Sequence, residues 1–381
     1  MEQNIVHTLQ QRELDNDYQN FVRKNYFNPG MIKKMEIQTT SSLGYVNFDD
    51  AVKFLSWNSN GTLLACGQPN RGVKLLKPFR GSTFSKLGED EGFIADTVFM
   101  PKFENMLAVG TRKYTVNLVA FGFSAINFES KVKIWDVETA AVTRKYEFDG
   151  LLQQVVACPA LPNNIWFNLD SDVRRIAEAD VRTSSYSSIK LNIPSNQDLI
   201  FKNCFDVNPV DGMTVAVGGR NRISYFDRRM LTSDATPFKF IDLRPLRDMD
   251  LIVVKMKYHP NGRKILKTVS LGFQNYISNT SDTDAGNMRA FEFHDLTMLG
   301  TILRNPNFLG DGGRYVMFDT FFRDFIVIFD SEDLRYLGKI KLETQESNSG
   351  TESAAHPCYC LIALASRGVI HFITPTSSEQ T

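Results

Sequence analysis

The 381 residues balance 43 Lys plus Arg against 43 Asp plus Glu, so no global field draws the chain to nucleic acid or anionic lipid. Five scattered cysteines (Cys66, Cys158, Cys204, Cys358, Cys360), odd in number and mostly in apolar runs, fit a reducing compartment rather than a disulfide framework. Met1-Glu2-Gln3-Asn4 shows no leader pattern, and the longest apolar stretch, Thr115 to Phe128, is too short to span a bilayer as a helix; the expectation is a soluble protein of cytoplasm and nucleus.

Residues Asn4 to Glu36 carry the one convincing helical period, with Ile5, Leu9, Phe21, Val22, Ile32 and Met35 at three- and four-residue steps, broken by Asn28-Pro29-Gly30. They predict a short N-terminal helical arm over 1–41. Its apolar stripe suits a partner's groove or, equally, the protein's own surface.

Beyond Leu43 the pattern changes to short β-branched and aromatic runs between Gly, Pro, Asn and Asp turns. Strong hairpin turns stand at Asn58–Gly61, Asn208–Gly212, His259–Gly262 and Gly310–Gly313; weaker ones stand at Phe103–Asn105, Leu161–Asn164 and His356–Tyr359. Seven units result. Each continues with a small apolar strand, a second turn and an apolar strand closed by an acid: Val132 to Asp136, Ile176 to Asp180, Ile223 to Asp227, Arg289 to Asp295 and Phe325 to Asp330. Self-similarity of this kind, with Trp135-Asp136 or its relatives closing the unit, predicts an all-β fold, a seven-bladed WD-repeat β-propeller over 42–376 with a tail at 377–381. Polar stretches at Arg175–Asn196, Asn279–Asn287 and Glu343–Ala354 read as long loops.

Thr115 to Phe128 does not fit a blade, because it intrudes where a short turn should join two strands. It reads as a tolerated apolar loop on the rim, a partner-binding insertion, or a translated intron.

Motifs for chemistry are missing. Val217-Gly218-Gly219-Arg220 and Leu309 to Gly313 lack the strand-loop-helix setting of a phosphate cradle, and His356 precedes Cys358 and Cys360 without paired metal-ligand blocks. No cofactor, metal or catalytic role is expected. The basic clusters at Arg220–Arg222 with Arg228-Arg229, and at Lys255–Lys267, alternate with apolar residues and read as a solvated strand face, not a nucleic-acid site.

Four segments are similar to one group of proteins. Asn4-Ile5 through Ile32-Lys33, Val52 to Gly67, Ala216 to Leu231 and Asp242-Leu243-Arg244-Pro245 resemble, in order, the arm and the first and fourth blades of the adipose type of WD- and tetratricopeptide-repeat proteins. Those belong to the associated factors of the cullin-4 ubiquitin ligase. The tetratricopeptide helices of that type are missing, since Leu296 to Arg304 passes straight into another β unit. The resemblance implies a non-catalytic substrate receptor that binds the ligase's propeller adaptor, the damaged-DNA-binding protein subunit, with an unidentified client on the opposite rim. The family's docking box ends aromatic-Asp-x-Arg. Phe226-Asp227-Arg228-Arg229 matches it, and Ala179-Asp180-Val181-Arg182 matches all but the aromatic. The resemblance therefore assigns adaptor binding to Asp180, Arg182, Asp227 and Arg229, with Ile5, Leu9, Phe21 and Val22 of the arm. The plainer reading is that both aspartates cap turns and both arginines are solvated. The alternative function is a chromatin-associated scaffold that holds histone tails in the central opening.

Overall fold

The computed structural model describes residues 35–37, 46–47, 52–68, 72–77, 82–87, 92–118, 124–170, 175–191, 204–232, 234–243, 252–269, 274–282, 288–291, 303–320, 325–341, 352–358, 361–366 and 369–375. Among the described residues there is no α-helix, and the strands form seven separate sheets. Each sheet is built on a meander whose first three strands are consecutive in sequence. The first strands, Phe54–Trp57, Phe93–Phe99, Leu151–Cys158, Phe205–Val207, Val253–Tyr258, Leu303–Leu309 and Glu352–Ala355, touch one another in succession, the last against the first. They ring a central channel, and the all-β seven-bladed propeller is the observed fold.

Period-two alternation along the second strands explains the ring. In Leu64–Gln68 of blade one every residue is buried. Leu64 and Cys66 pack with Ala363 and Ile370 of blade seven, while Ala65 packs with Leu107 and Val109 of blade two. In blade four, Val215 and Val217 face blade three, and Ala216 faces blade five. Seven apolar clusters result, each straddling a pair of adjacent blades. A blade therefore has no core of its own.

The inner strands lack a pairing partner on their channel side, so their backbone groups need another source of hydrogen bonds. The preceding blade supplies it. Ser56 Oγ accepts from Phe99 N (3.3 Å), Asp96 Oδ2 from Val155 N (2.9 Å), Gln154 Oε1 from Phe205 N (3.2 Å) and Asp206 Oδ2 from Tyr258 N (2.6 Å). Asn307 Nδ2 donates to Ser353 O (3.0 Å); at the last seam the direction reverses, and Trp57 Nε1 of blade one donates to Ala354 O of blade seven (3.1 Å).

A second set of ties lies where several inner strands enter their first turns. Asn208 Nδ2 donates to Gly262 O of the next blade (3.3 Å). His259 and His356 take their Nδ1 hydrogen bonds from Asn261 N and Cys358 N, so Nε2 carries the proton and donates to Gly313 O (3.1 Å) and Gly61 O (3.0 Å). Burial brings the His356 imidazolium down to about 4, which keeps the ring neutral. Neither histidine is left for a metal.

The seam between blades seven and one closes the ring. Its outer strand is Met35–Ile37, paired antiparallel with Ile373–Pro375. Met35 and Glu36, read from the sequence as the end of a helix, are thus strand residues, and the propeller takes in chain ahead of residue 42. The rest of the arm, with Ile5, Leu9, Phe21 and Val22, lies outside the described residues.

Four local readings need correction. Leu161–Asn164, read as a first turn, lie in the strand Leu161–Asp170, and the turn is Pro159–Ala160. The third strand of blade five is Gln274–Asn279, closed by an amide and not by Asp295; Arg289–Ala290 is its fourth strand. The polar stretch from Arg175 holds Arg175–Asp180 and the outer strand Tyr186–Leu191, whose serines face water while Ile189 and Leu191 are buried. The stretch from Glu343 ends in the inner strand of blade seven.

The Thr115–Phe128 intrusion continues two strands of blade two. Met106–Leu118 pairs with Ser124–Asp136 in unbroken register from Met106↔Asp136 to Leu118↔Ser124. Its described residues, 115–118 and 124–128, form a two-stranded ribbon that extends beyond the blade proper.

Removing Tyr114–Phe128 therefore leaves Arg112↔Ser130 as the last pair above a two-residue turn. Thermal denaturation is expected to show a melting temperature within about 3 °C of the full chain, a shift worth under about 1 kcal/mol. Gly61→Ala should behave oppositely. Gly61 has φ +71°, and an added Cβ would lie 1.9 Å from His356 Nε2. A loss of about 2–4 kcal/mol in urea unfolding is expected, partly restored by His356→Ala.

Candidate functional site

In a four-stranded meander the first and third turns lie at the same end of the sheet, so the turns after the third strands share one face with the ring of histidine and asparagine ties. In four blades the third strand closes with an aspartate whose Oδ1 accepts the backbone N–H two residues on. The pairs are Asp136 with Glu138 N (3.0 Å), Asp180 with Arg182 N (2.9 Å), Asp227 with Arg229 N (2.9 Å) and Asp330 with Glu332 N (2.8 Å). This is an Asx turn, the local bond that aspartate offers a backbone leaving a strand. The aspartates do cap turns. What differs between blades is the side chain two residues later.

In blades three and four that side chain is arginine, and it folds back on its own aspartate. Arg182 Nε donates to Asp180 Oδ1 (2.9 Å) and Nη2 to Oδ2 (2.5 Å); Arg229 repeats this on Asp227 at 3.0 and 2.6 Å. These bonds and the backbone N–H hold both carboxyls down to about 2, so both pairs stay ionised. The arginine side chains remain 68% and 72% exposed. Each guanidinium is oriented by a fork of two bonds, with its other N–H groups turned to solvent.

The two corners sit on adjacent blades and are tied together. Arg228 reaches back to blade three, where Nε and Nη2 donate to Glu178 Oε1 at 2.9 and 2.7 Å. Asn164 Nδ2 donates to the same oxygen (2.6 Å), and the Arg228 guanidinium lies 6.0 Å from the Trp166 ring. Glu178 precedes Asp180 by two residues, and Arg228 follows Asp227 directly. Blade two supports the first corner: the Tyr146 hydroxyl lies 3.1 and 3.0 Å from the carbonyls of Asp180 and Thr183, and Arg144 Nη2 donates to Arg182 O (3.2 Å). The connection after the second corner then pairs Asp234–Ala235 in parallel with Lys190–Leu191 on the outer edge of blade three. The sequence marked Asp180, Arg182, Asp227 and Arg229 and gave no sign of Glu178, Arg228, Tyr146 or Arg144.

The channel holds a second polar cluster. Lys255 Nζ lies 4.0 Å from Glu352 Oε1, joining blades five and seven, and Lys257 Nζ donates to Asn307 Oδ1 (2.8 Å). Surrounding protein lifts Asp96 and Asp206 to about 6 against the lowering pull of their backbone N–H partners, and desolvation brings Lys257 below the ordinary lysine range even though it meets channel water. The Lys255–Lys267 run is a solvated face only in part: Lys257 and Arg263 are exposed, whereas Lys267, at its end, is buried with Nζ on Ser278 Oγ (2.5 Å). Among the described residues no group of three His, Cys, Asp or Glu side chains is placed to hold a metal ion.

No protein-family model and no curated protein matches the chain. Solved structures do. The β-propeller domain of Cps50 (Swd1) from Myceliophteria thermophila superposes with a TM-score of 0.62 at 15% identity, over 87% of this chain and 99% of that one. At that identity the likeness establishes the WD-like seven-bladed fold. With 1289 solved chains matching, shape selects no partner.

Asp96 and Asp206 are raised above the ordinary 3.8, so the folded state favours their neutral forms. That stabilisation is fully present below about pH 4 and is lost as pH rises through about 6. Each carboxylate accepts two backbone N–H groups, from Thr97 and Val155 or from Val207 and Tyr258, so Asp96→Asn and Asp206→Asn give up one of these bonds at every pH and shed a charge only where the parent is ionised. Measured against the parent, each variant should therefore stand on the order of 1–2 kcal/mol better at pH 7.5 than at pH 4, read by urea unfolding at both pH values. Equal shifts at the two pH values would contradict the assignment.

Proposed function

We propose that the chain is a non-catalytic protein-interaction platform and, within that class, a substrate-receptor subunit of a cullin-4 ubiquitin ligase. It docks the ligase's propeller adaptor through Arg182 and Arg229, with Ile5, Leu9, Phe21 and Val22 of the N-terminal arm as a further contact. The client is held on the opposite face.

One observation carries the reading. Two Asp-x-Arg corners of matching geometry stand on adjacent blades, joined by the Arg228–Glu178 pair, each presenting an oriented guanidinium. A bidentate arginine contact to a partner's carboxylate is worth about 1.5–3 kcal/mol, so two acting together set tenfold or greater differences in affinity. Histone tails in the channel are the weaker reading. A cationic tail would compete with Lys255 for Glu352, and with Lys257 for its acidic neighbours.

Affinity purification of the tagged chain from cells tests the proposal. The wild type should recover adaptor and cullin, and Arg182→Ala with Arg229→Ala should lower both by about tenfold or more at equal bait. Recovery of clients without adaptor, where a known receptor brings it down, would sink the ligase reading.

A further inference from the structure

The corner face is not uniform in charge or polarity. Its Asx turns end in Glu138 on blade two and Glu332 on blade six, but in Arg182 and Arg229 on blades three and four. Lys264 engages Glu332 at 2.7 Å, so that corner is neutralised from within. The arginine corners consume their own aspartates and still turn N–H groups outward. An approaching carboxylate is therefore favoured over blades three and four.

Blade four also carries most of the exposed large apolar side chains. Of six large hydrophobic residues exposed among the described residues, Val210, Met230, Phe238 and Phe240 belong to blade four. Met230 follows Arg229 directly and is 69% exposed; Val210, in the first turn of the blade, is 61% exposed. Beneath them the surface continues into the core. Leu231 and Leu161 pack on the cluster between blades three and four, and Gly212 lies so close to Leu161 and Ala160 that an added Cβ would meet them. Arg228 N donates to Met213 O (2.7 Å), joining the first and third turns of blade four into one platform. Apolar residues beside oriented arginines make the composition of a binding hot spot, where a desolvated apolar contact strengthens neighbouring charge pairs.

We propose that the corner face of blades three and four is a docking surface for a protein segment that carries an apolar side chain between two carboxylates. Met230 and Val210 form the apolar contact, and Arg182 and Arg229 receive the acids. The partner's chemistry follows from charge complementarity, since among the four Asx corners those of blades three and four end in a cation while those of blades two and six end in glutamate. The proposal refines the adaptor-docking reading by adding an apolar centre to the two arginines.

The test uses the full chain and two probes. The first is an immobilised peptide series with one leucine between two glutamates at increasing spacing, with glutamine-for-glutamate and serine-for-leucine controls. The second is the purified propeller adaptor of the cullin-4 ligase. The best peptide should bind about tenfold tighter than its controls, and Met230→Ser or Val210→Ser should each cost several-fold at an unchanged melting temperature. Arg182→Ala with Arg229→Ala should remove the preference for glutamate. If no peptide exceeds its controls, or Met230→Ser and Val210→Ser leave binding unchanged, the proposal is overturned. Peptide binding as expected with no binding of adaptor upholds the surface and defeats the ligase reading. Adaptor binding that needs the arginines but ignores Met230 and Val210 defeats the surface and leaves that reading standing.

Discussion

A sheet that is apolar on both faces and open along its inner edge cannot stand alone, and the rest of this structure follows from that constraint. The faces are covered by neighbours, as when Leu64 and Cys66 turn to blade seven while Ala65 turns to blade two. The open edge is met by side chains such as Asp96 and Asp206, which accept N–H groups of Val155 and Tyr258 from the next blade. Polar residues on the inner strands are thus structural necessities, and their surroundings perturb their ionisation without implying chemistry. The raised Asp96 and Asp206 and the lowered Lys257 are consequences of ring closure. A perturbed carboxylate is often a sign of catalysis; here its backbone partner identifies it as a tie.

Closure also ties the last seam closely. The last sheet borrows Met35–Ile37 from the other end of the described chain, and the blade seven to blade one seam carries Trp57 on Ala354, His356 on Gly61, and their rings 4.7 Å apart. Gly61 has positive φ and no space for a Cβ, so conformation and packing demand glycine there together.

The sequence revealed what local chemistry decides. Asn, Gly, Pro and Asp at the first turns act through nearest-neighbour geometry, and six of the seven read from the sequence join the first two strands of a sheet; Leu161–Asn164 fall just beyond the turn, inside the second strand of blade three. It concealed what depends on distant partners. Met35–Ile37 is too short for a period, and its partners lie more than 330 residues away. Tyr186–Leu191 is an outer strand with serines toward water, so it reads as polar loop. The third strand of blade five ends in Asn279 where the other closings have aspartate, which moved the expected ending to Asp295. Lys267 stands in a basic run that alternates as a solvated strand would, and only its Ser278 partner shows that it is interior. At the candidate site, the two Asp-x-Arg matches could be read directly, whereas the inward turn of Arg228 could not, because it depends on Glu178 fifty residues earlier.

That division separates fold from recognition at the corners. The aspartate of each Asx turn is required by the blade, and the same bond recurs in blades two, three, four and six whatever follows it. The residue two positions on is solvent-facing in blades three and four and carries little of the fold's stability, because an exposed ion pair contributes at most about 1 kcal/mol. It is free to set the sign of the surface. Arg182 and Arg229 use a turn the propeller already needs and gain orientation from the carboxylate that caps it, so the side chain a partner meets is pre-organised before any partner arrives. Arg228 and Glu178 then fix the spacing between the two corners, through a pair largely shielded from water whose position depends on blades three and four remaining packed. Recognition at this face thereby rests on the same contact between neighbouring sheets that holds the ring closed.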